Sequence, residues 1–221
     1  MKVMIHQPDF IPWLGFFDRW ENSDLLIILD DVQFIRRGWQ HRDKIKTNSG
    51  VVWLTVPVIK KKRYNQQIRH VEIDNSFNWI RKHIKTIEIS YSKAPGFNKY
   101  FDKINKIYNK KHNKLIDLNL ELLRYISSEL QIKTQIMYAS ELNSLETSTN
   151  RLVELVKKVG GTNYITGYGS TNYLEEEKFI DAGINVTWHD FKHPVYKQLY
   201  GDFVPNLSIL DYIMNMNIHN K

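Results

Sequence analysis

The chain has 221 residues, 31 Lys plus Arg against 24 Asp plus Glu, a formal net charge of +7 and no Cys. That length suits one domain that buries a core without covalent staples, and 42% hydrophobic with 13% aromatic residues exclude a disordered chain. Without Cys there is no disulfide framework, thiolate metal site, iron–sulfur cluster or Cys nucleophile.

Val3-Met4-Ile5 predicts a short buried strand ending at His6-Gln7-Pro8. The run is too short for a signal-peptide core, and no window nears the roughly 20 apolar residues of a membrane span, so a cytoplasmic location is expected. Pro12 precedes Trp13 to Trp20, whose apolar spacing predicts a helix packed on a sheet. Leu25 to Leu29 is a continuous apolar run, as in a strand covered on both faces, and it ends in Asp30-Asp31. Strand, helix, strand is a βαβ unit. Ligands of open α/β sheets bind beyond the carboxyl ends of the strands, where His6 and Asp30 fall.

Residues 36–44 read as a loop, and Val51 to Val58 as a strand whose Pro57 favours an end or an edge. Ile68 to Ile73 reads as a further strand. Phe77 to Ser90 and Asn98 to Leu130 read as helices separated by Ala94-Pro95-Gly96. A strand at Thr134 to Tyr138 precedes a helix capped by Thr147 or Thr149 and ended by Gly160-Gly161. Tyr164 to Thr166 predicts a strand, followed by Gly167-Tyr168-Gly169 and a helix containing Glu175 to Glu177 that ends at Gly183. Ile184 to Trp188 predicts the last strand. No repeat or linker interrupts the pattern, so residues 1–221 read as a single α/β domain in which 76–130 is mainly helical.

The charge is uneven. From Arg36 to Lys114 there are 20 basic and 5 acidic residues, a net of +15, including Lys60-Lys61-Lys62-Arg63; the rest of the chain is −8. A field of one sign draws in polyanions such as nucleotides, sugar nucleotides or nucleic acid. The 22 Lys, 25 Ile and 19 Asn also match an AT-rich coding bias, so the scarcer Arg36, Arg37 and Arg42 are the more informative cations. Their planar fork suits phosphate or carboxylate.

Four segments can carry chemistry. His6-Gln7-Pro8 through Pro12-Trp13-Leu14-Gly15-Phe16 places an imidazole before a rigid turn and a helix N-terminus, a place suited to anions. Its layout is similar to that of adenine-nucleotide-dependent nucleotidyltransferases, although Trp13-Leu14-Gly15-Phe16 stands where those have a two-histidine signature. A mostly parallel sheet built from βαβ units, with a nucleotidyltransferase- or Rossmann-like core and a helical middle segment, is the fold expected. Asp30-Asp31 can serve as base, cation ligand or helix cap. Arg36 to Lys44 mixes basic and aromatic residues, Trp39 among them, which suits a phosphate and a stacked base or sugar. Gly167-x-Gly169 can admit a phosphate to backbone amides, or be a plain turn. His189-x-x-x-His193 has helical metal-ligand spacing, but Pro194 and the preceding strand argue against a helix, and no metal site is expected; His193 to Gln198 reads as a polar turn.

Together these motifs resemble the WbqC-like protein family. The likeness rests on His6-Gln7-Pro8, Pro12 to Phe16, Leu29 to Phe34, Arg42 to Ile45 and Trp53 to Val58. It continues through Lys82 to Ile87, Tyr91 to Pro95, Tyr164 to Gly167, His193 to Tyr196 and Leu207 to Asp211. It departs at His41, where Asn is expected, and at Gly96, where an aromatic is expected. The resemblance implies a bacterial enzyme of O-antigen or other surface-polysaccharide biosynthesis, a transferase moving an acyl or aminoacyl (glycyl) group to the amine of a nucleotide-linked amino sugar. ATP and an aminoacyl-tRNA are the donors considered; neither membrane nor DNA is expected as a partner, and no cofactor is assigned. The catalytic residues expected are His6 and Asp31. Substrate contacts are expected from Gln7, Trp13, Gly15, Asp30, Arg37, Trp39, Arg42, Lys85, Tyr91, Gly167, Gly169, His193 and Gln198. An ATP-using nucleotidylyltransferase or ligase, and a nucleic-acid-binding module, are the alternatives.

Overall fold

The computed structural model describes residues 1–61 and 63–218; Lys62 of the basic run lies outside them. In chain order the elements are β1 (Lys2–His6), α1 (Leu14–Glu21), β2 (Leu25–Ile28), β3 (Arg42–Thr47), β4 (Gly50–Thr55), α2 (Trp79–Tyr91), α3 (Phe97–Asn109), α4 (Leu115–Glu129), β5 (Gln135–Tyr138), α5 (Ser148–Lys158), β6 (Asn163–Gly167), α6 (Glu176–Asp181), β7 (Asn185–His189) and α7 (Ile209–Met216). Short 3-10 turns occupy Ile68–His70, Ala139–Leu142 and Tyr168–Ser170. The residues group into two compact units, each discontinuous in sequence.

The first unit comprises 1–8, 15–31 and 132–192. Its sheet is parallel throughout, in the order β5-β2-β1-β6-β7. Every residue of β2 is buried, as its unbroken aliphatic run requires. Val3, Ile5, Leu25, Ile27 and Tyr164 bury one face with Leu155 and Val156 of α5 and Phe179 of α6; the Tyr164 and Phe179 rings stack at 4.9 Å. Each such side chain contributes about 1.5–3 kcal/mol when fully buried. Gly160 and Gly183 close α5 and α6 at φ 70°, a left-handed turn that glycine adopts without a Cβ penalty. The α/β class with a mostly parallel sheet therefore holds. Chain order reverses direction across β1, with β2 and β5 on one side and β6 and β7 on the other. This places a topological switch point between β1 and β6.

The second unit comprises 9–14, 32–131 and 193–221, within the limits of the described residues. It holds the antiparallel β3–β4 hairpin, the three helices of the expected helical segment and α7. Four expectations are corrected here. Arg42 to Lys44 is strand rather than loop, because Asp43, Ile45 and Leu54 turn to the interior while Arg42, Lys44 and Trp53 alternate outward. Ile68 to Ile73 is no strand; it is a 3-10 turn followed by the isolated bridges Val58–Ile73 and Glu72–Lys114. The helix expected from Asn98 to Leu130 breaks in two, since Lys111 turns left-handed at φ 53° and the next residues pair with 71–73 through Ile73 N–Asn113 O and Leu115 N–Val71 O. Trp13 precedes its helix instead of lying in it, and bridges Ser208.

Candidate functional site

The carboxyl edge of the first unit's sheet gathers the chemistry. Met4 pairs with Ile165 and Gly167 with His189, so two residues beyond Met4 His6 comes level with both Gly167 and His189. Adjacent strands lie ~4.8 Å apart, so the two histidines stand roughly 10 Å from one another, on the face opposite Val3 and Ile5. Helix α1 lies over this row. Phe16 meets His6 edge-on at 5.0 Å, Asp18 Oδ2 sits 2.6 Å from His189 Nε2, and Arg19 reaches Gly167. A Cβ on Gly167 would stand 2.5 Å from Arg19 Nη1, so the missing side chain makes the seat for the guanidinium.

His6 Nδ1 lies 2.9 Å from the Gln7 carbonyl, which can only accept, so Nδ1 carries the proton and Nε2 the lone pair. Burial, reinforced by the Arg19 charge and opposed by the Gln7 carbonyl, pulls this imidazole down to about 3, and it is neutral at physiological pH. Beyond β6, Tyr168 is exposed and stacks on Trp188 of β7 at 5.9 Å; the Trp188 indole N–H donates to Glu176. The turn itself is closed by Ser170, whose hydroxyl donates to the Gly167 carbonyl and meets Thr166.

The other expected residues of this unit are placed differently. Gly15 is buried in the first turn of α1 and Gly169 sits in the 3-10 turn with open space where a Cβ would stand. Asp30 accepts from Ser140 N–H and Oγ–H at 3.0 and 2.6 Å, which fastens the turn after β5. Both oxygens of Asp31 are 2.7 Å from Arg151 Nη2 of α5. Gln7 contributes its backbone carbonyl to His6.

The remaining expected residues belong to the second unit and fall in three places. Arg37, Trp39 and Arg42 are at the outer face of the β3–β4 hairpin, where Arg42 Nη2 donates to the Arg37 carbonyl. Lys85 lines an open groove of about 1010 Å³ with Arg81, Phe77, Asn105 and Asn109. Trp13 stacks on His193, and nearby lies the interior network in which Tyr91 O–H and Gln198 N–H donate to Asp211 at 2.8 Å each. Gln198 further bonds Val204 and Lys46, so its amide is committed to the fold. Gly96 lies against the last turn of α7, where a Cβ would stand 2.3 Å from the Ile213 carbonyl; no aromatic fits there.

A family model for the WbqC-like protein family matches residues 7–221. The chain belongs to the WbqC-like family. Among curated proteins, one described as "Uncharacterized protein Rv1507c" of Mycobacterium tuberculosis is 38% identical over 217 residues, 97% of this chain and 94% of that relative. No solved structure matches. As a WbqC-like protein, the chain presents Arg19 at its switch point and, one strand farther on, the Asp18–His189 pair, three residues that motif alone does not assign to the site. His189 carries the same strand-end signal as His6. Asp18 and Arg19 carry none until the helix is laid over the sheet.

Proposed function

We propose that this protein is a transferase of bacterial surface-polysaccharide biosynthesis, moving an acyl or aminoacyl group, glycyl among them, to the amine of a nucleotide-linked amino sugar. Family membership supports the pathway. The observation that carries the reaction is the row that starts at the switch point with His6 and Gly167–Arg19 and runs on to Asp18–His189, along the carboxyl edge where an open α/β sheet takes its ligand. Arg19 supplies a fixed cation for the diphosphate, and Tyr168 on Trp188 supplies an aromatic face for the base or hexose.

In this reading the sugar nitrogen attacks the carbonyl carbon of an activated ester. The C–N bond forms, the ester C–O bond breaks, the donor oxygen departs with a proton, and the nitrogen loses one to a base. His189 is the better-supported base: Asp18 beside its Nε2 compensates the charge that protonation at Nδ1 creates. His6 is a weaker choice, since burial and the Arg19 charge lower its imidazole to about 3. Asp31 is a poorer choice because Arg151 holds both its oxygens.

The test is thermal denaturation of the full chain with a panel of nucleoside-diphosphate amino sugars. A ligand at 100 times its Kd adds ~2.7 kcal/mol, an upward Tm shift of roughly 5–10 °C, and Arg19→Gln should abolish that shift. If no panel member raises Tm, or Arg19→Gln leaves the shift intact, the reading is wrong. The strand order, 3-2-1-4-5 when numbered within this sheet, also favours an ATP-using nucleotidylyl or ligase reaction. Release of pyrophosphate or AMP during turnover identifies that alternative.

A further inference from the structure

The β3–β4 hairpin carries a surface that the switch-point site does not use. Strand alternation puts Asp43, Ile45 and Leu54 inside and aims Arg42, Lys44 and Trp53 at solvent. Trp39 leans on Trp53 with ring centroids 5.4 Å apart, and the two indoles remain 48% and 45% exposed. Leaving two adjacent indoles half in water forfeits burial that either would gain in a core, so the platform calls for a ligand. Arg42 lies over Trp53 at 4.3 Å, and Lys44 lies 5.7 and 5.6 Å from the Trp39 and Trp53 rings.

A second aromatic stands apart from the first. Tyr64 is 71% exposed, with Arg36 over its ring at 4.5 Å. Between the two aromatic stations runs a ridge of cations. Arg36 Nη2 donates to the Lys60 carbonyl, and Arg42 to the Arg37 carbonyl. Lys60 feels Arg36, Arg42 and Arg37, which, after burial, lower its ammonium below the usual range. Among the described residues none of Arg36, Arg37, Arg42, Lys44 and Lys60 forms a salt bridge, whereas nearby Arg63 is paired with Glu72 at 2.9 Å. Arg42 Nε is buried with no hydrogen-bond partner. Arg37 is held left-handed at φ 66°, a conformation that costs an ordinary residue free energy and that recurs at ligand sites.

Mutually repelling cations without carboxylates call for an anion, and flat faces call for flat rings. A mononucleotide engages one ring and one phosphate group; two aromatic stations flanking a row of cations match successive bases joined by a phosphate backbone. A duplex hides its base faces and leaves the aromatics unused. We propose that the outward face of the hairpin together with the segments flanking it, from Tyr64 through Arg36, Lys60, Arg37 and Arg42 to Trp53 and Trp39, binds a single-stranded oligonucleotide. The inference does not depend on the switch-point site or on its substrate.

The experiment is fluorescence anisotropy of the full chain with labelled 12-nucleotide RNA and DNA of one sequence, their duplexes, and inorganic polyphosphate as competitor. Single strands should bind with an affinity that falls steeply with salt, the slope easing by about 0.7 for each of Arg36→Gln and Lys60→Gln. Trp53→Ala and Tyr64→Ala should each weaken binding by roughly 5- to 150-fold, Tyr64→Ala with Tm unchanged and Trp53→Ala with a loss of Tm of only a few degrees. The RNA and DNA arms show which backbone is preferred. Equal affinity for duplex or polyphosphate, indifference to both aromatic substitutions, or no binding at low salt would each overturn the proposal.

Discussion

Gly167 shows how much the candidate site depends on one absent atom. Arg19 occupies the space a side chain would take, and the intruding atom in Gly167→Ala would meet the far end of a flexible side chain rather than backbone. The substitution should therefore cost under ~1 kcal/mol in stability, since the guanidinium swings aside, yet remove the cation from its seat and weaken sugar-nucleotide binding about tenfold or more. Paired denaturation and calorimetric titration check this; equal affinity would mean that Arg19 is no part of the site. Strand ends mark His6, Asp30 and Gly167 directly, because an apolar run must stop where the chain leaves the sheet. That Asp30 and Asp31 are occupied by Ser140 and Arg151 depends on partners more than 100 residues away, for which sequence spacing has no signal.

At the scale of elements, α7 is tied to the second unit by Asp211, which is fully buried. Its carboxylate accepts from Tyr91 O–H at 2.8 Å, Tyr196 O–H at 2.9 Å and Gln198 N–H at 2.8 Å. Asp211→Ala orphans three buried donors and should cost about 3 kcal/mol or more, whereas Tyr196→Phe removes one donor and should cost about 1 kcal/mol. Urea denaturation distinguishes the two, and similar losses would show that the three bonds do not contribute separately. Through this network Tyr91 and Gln198 help to hold α7 in place. The parallel strands and helices with strong periodicity were legible because one pattern, continuous or amphipathic, accounts for each. The hairpin strand β3 was not legible. In Arg42-Asp43-Lys44-Ile45-Lys46-Thr47 the inward positions carry a carboxylate and a threonine as well as an isoleucine, and Lys46 is buried on the opposite face by Gln198, Gly201 and Asp202, so hydropathy alternation fails. The α3–α4 break was hidden for the converse reason, since Asn109 to Lys114 has the polarity of a helix surface and its pairing with 71–73 is long-range.

Across the whole molecule, buried titratable groups set a stability optimum. His6 is lowered to about 3, His41 to about 4 by burial and then by Lys60 and Arg42, and His83 to about 4 by burial. In the unfolded chain each titrates near 6.5. As pH falls below 6.5 the unfolded chain takes up three protons that the folded chain refuses, so this contribution, whole above pH 6.5, is lost towards pH 3–4. Asp43 acts in the opposite sense. Burial, opposed by the Lys44 N–H and aided by the Asp9 charge, raises it to about 8, and burial raises Asp211 as well. The folded chain keeps the Asp43 proton that the unfolded chain loses above about pH 4, so stability also declines as pH climbs towards 8. The imidazoles outnumber the carboxyls below pH 6.5, and above it Asp43, raised to about 8, still holds its proton in the folded chain, so the Tm maximum should lie near pH 6.5. A net one to two protons over two pH units amounts to ~3–5 kcal/mol, so Tm should fall by about 10 °C between pH 6.5 and 4.5. His83→Gln tests the origin of the slope. Glutamine can still donate to the Thr55 carbonyl that His83 Nε2–H meets at 3.1 Å, but it takes up no proton in either state. The variant's stability should therefore decline less steeply into acid, by close to one proton in the slope; a slope equal to the natural chain's would locate the acid sensitivity elsewhere.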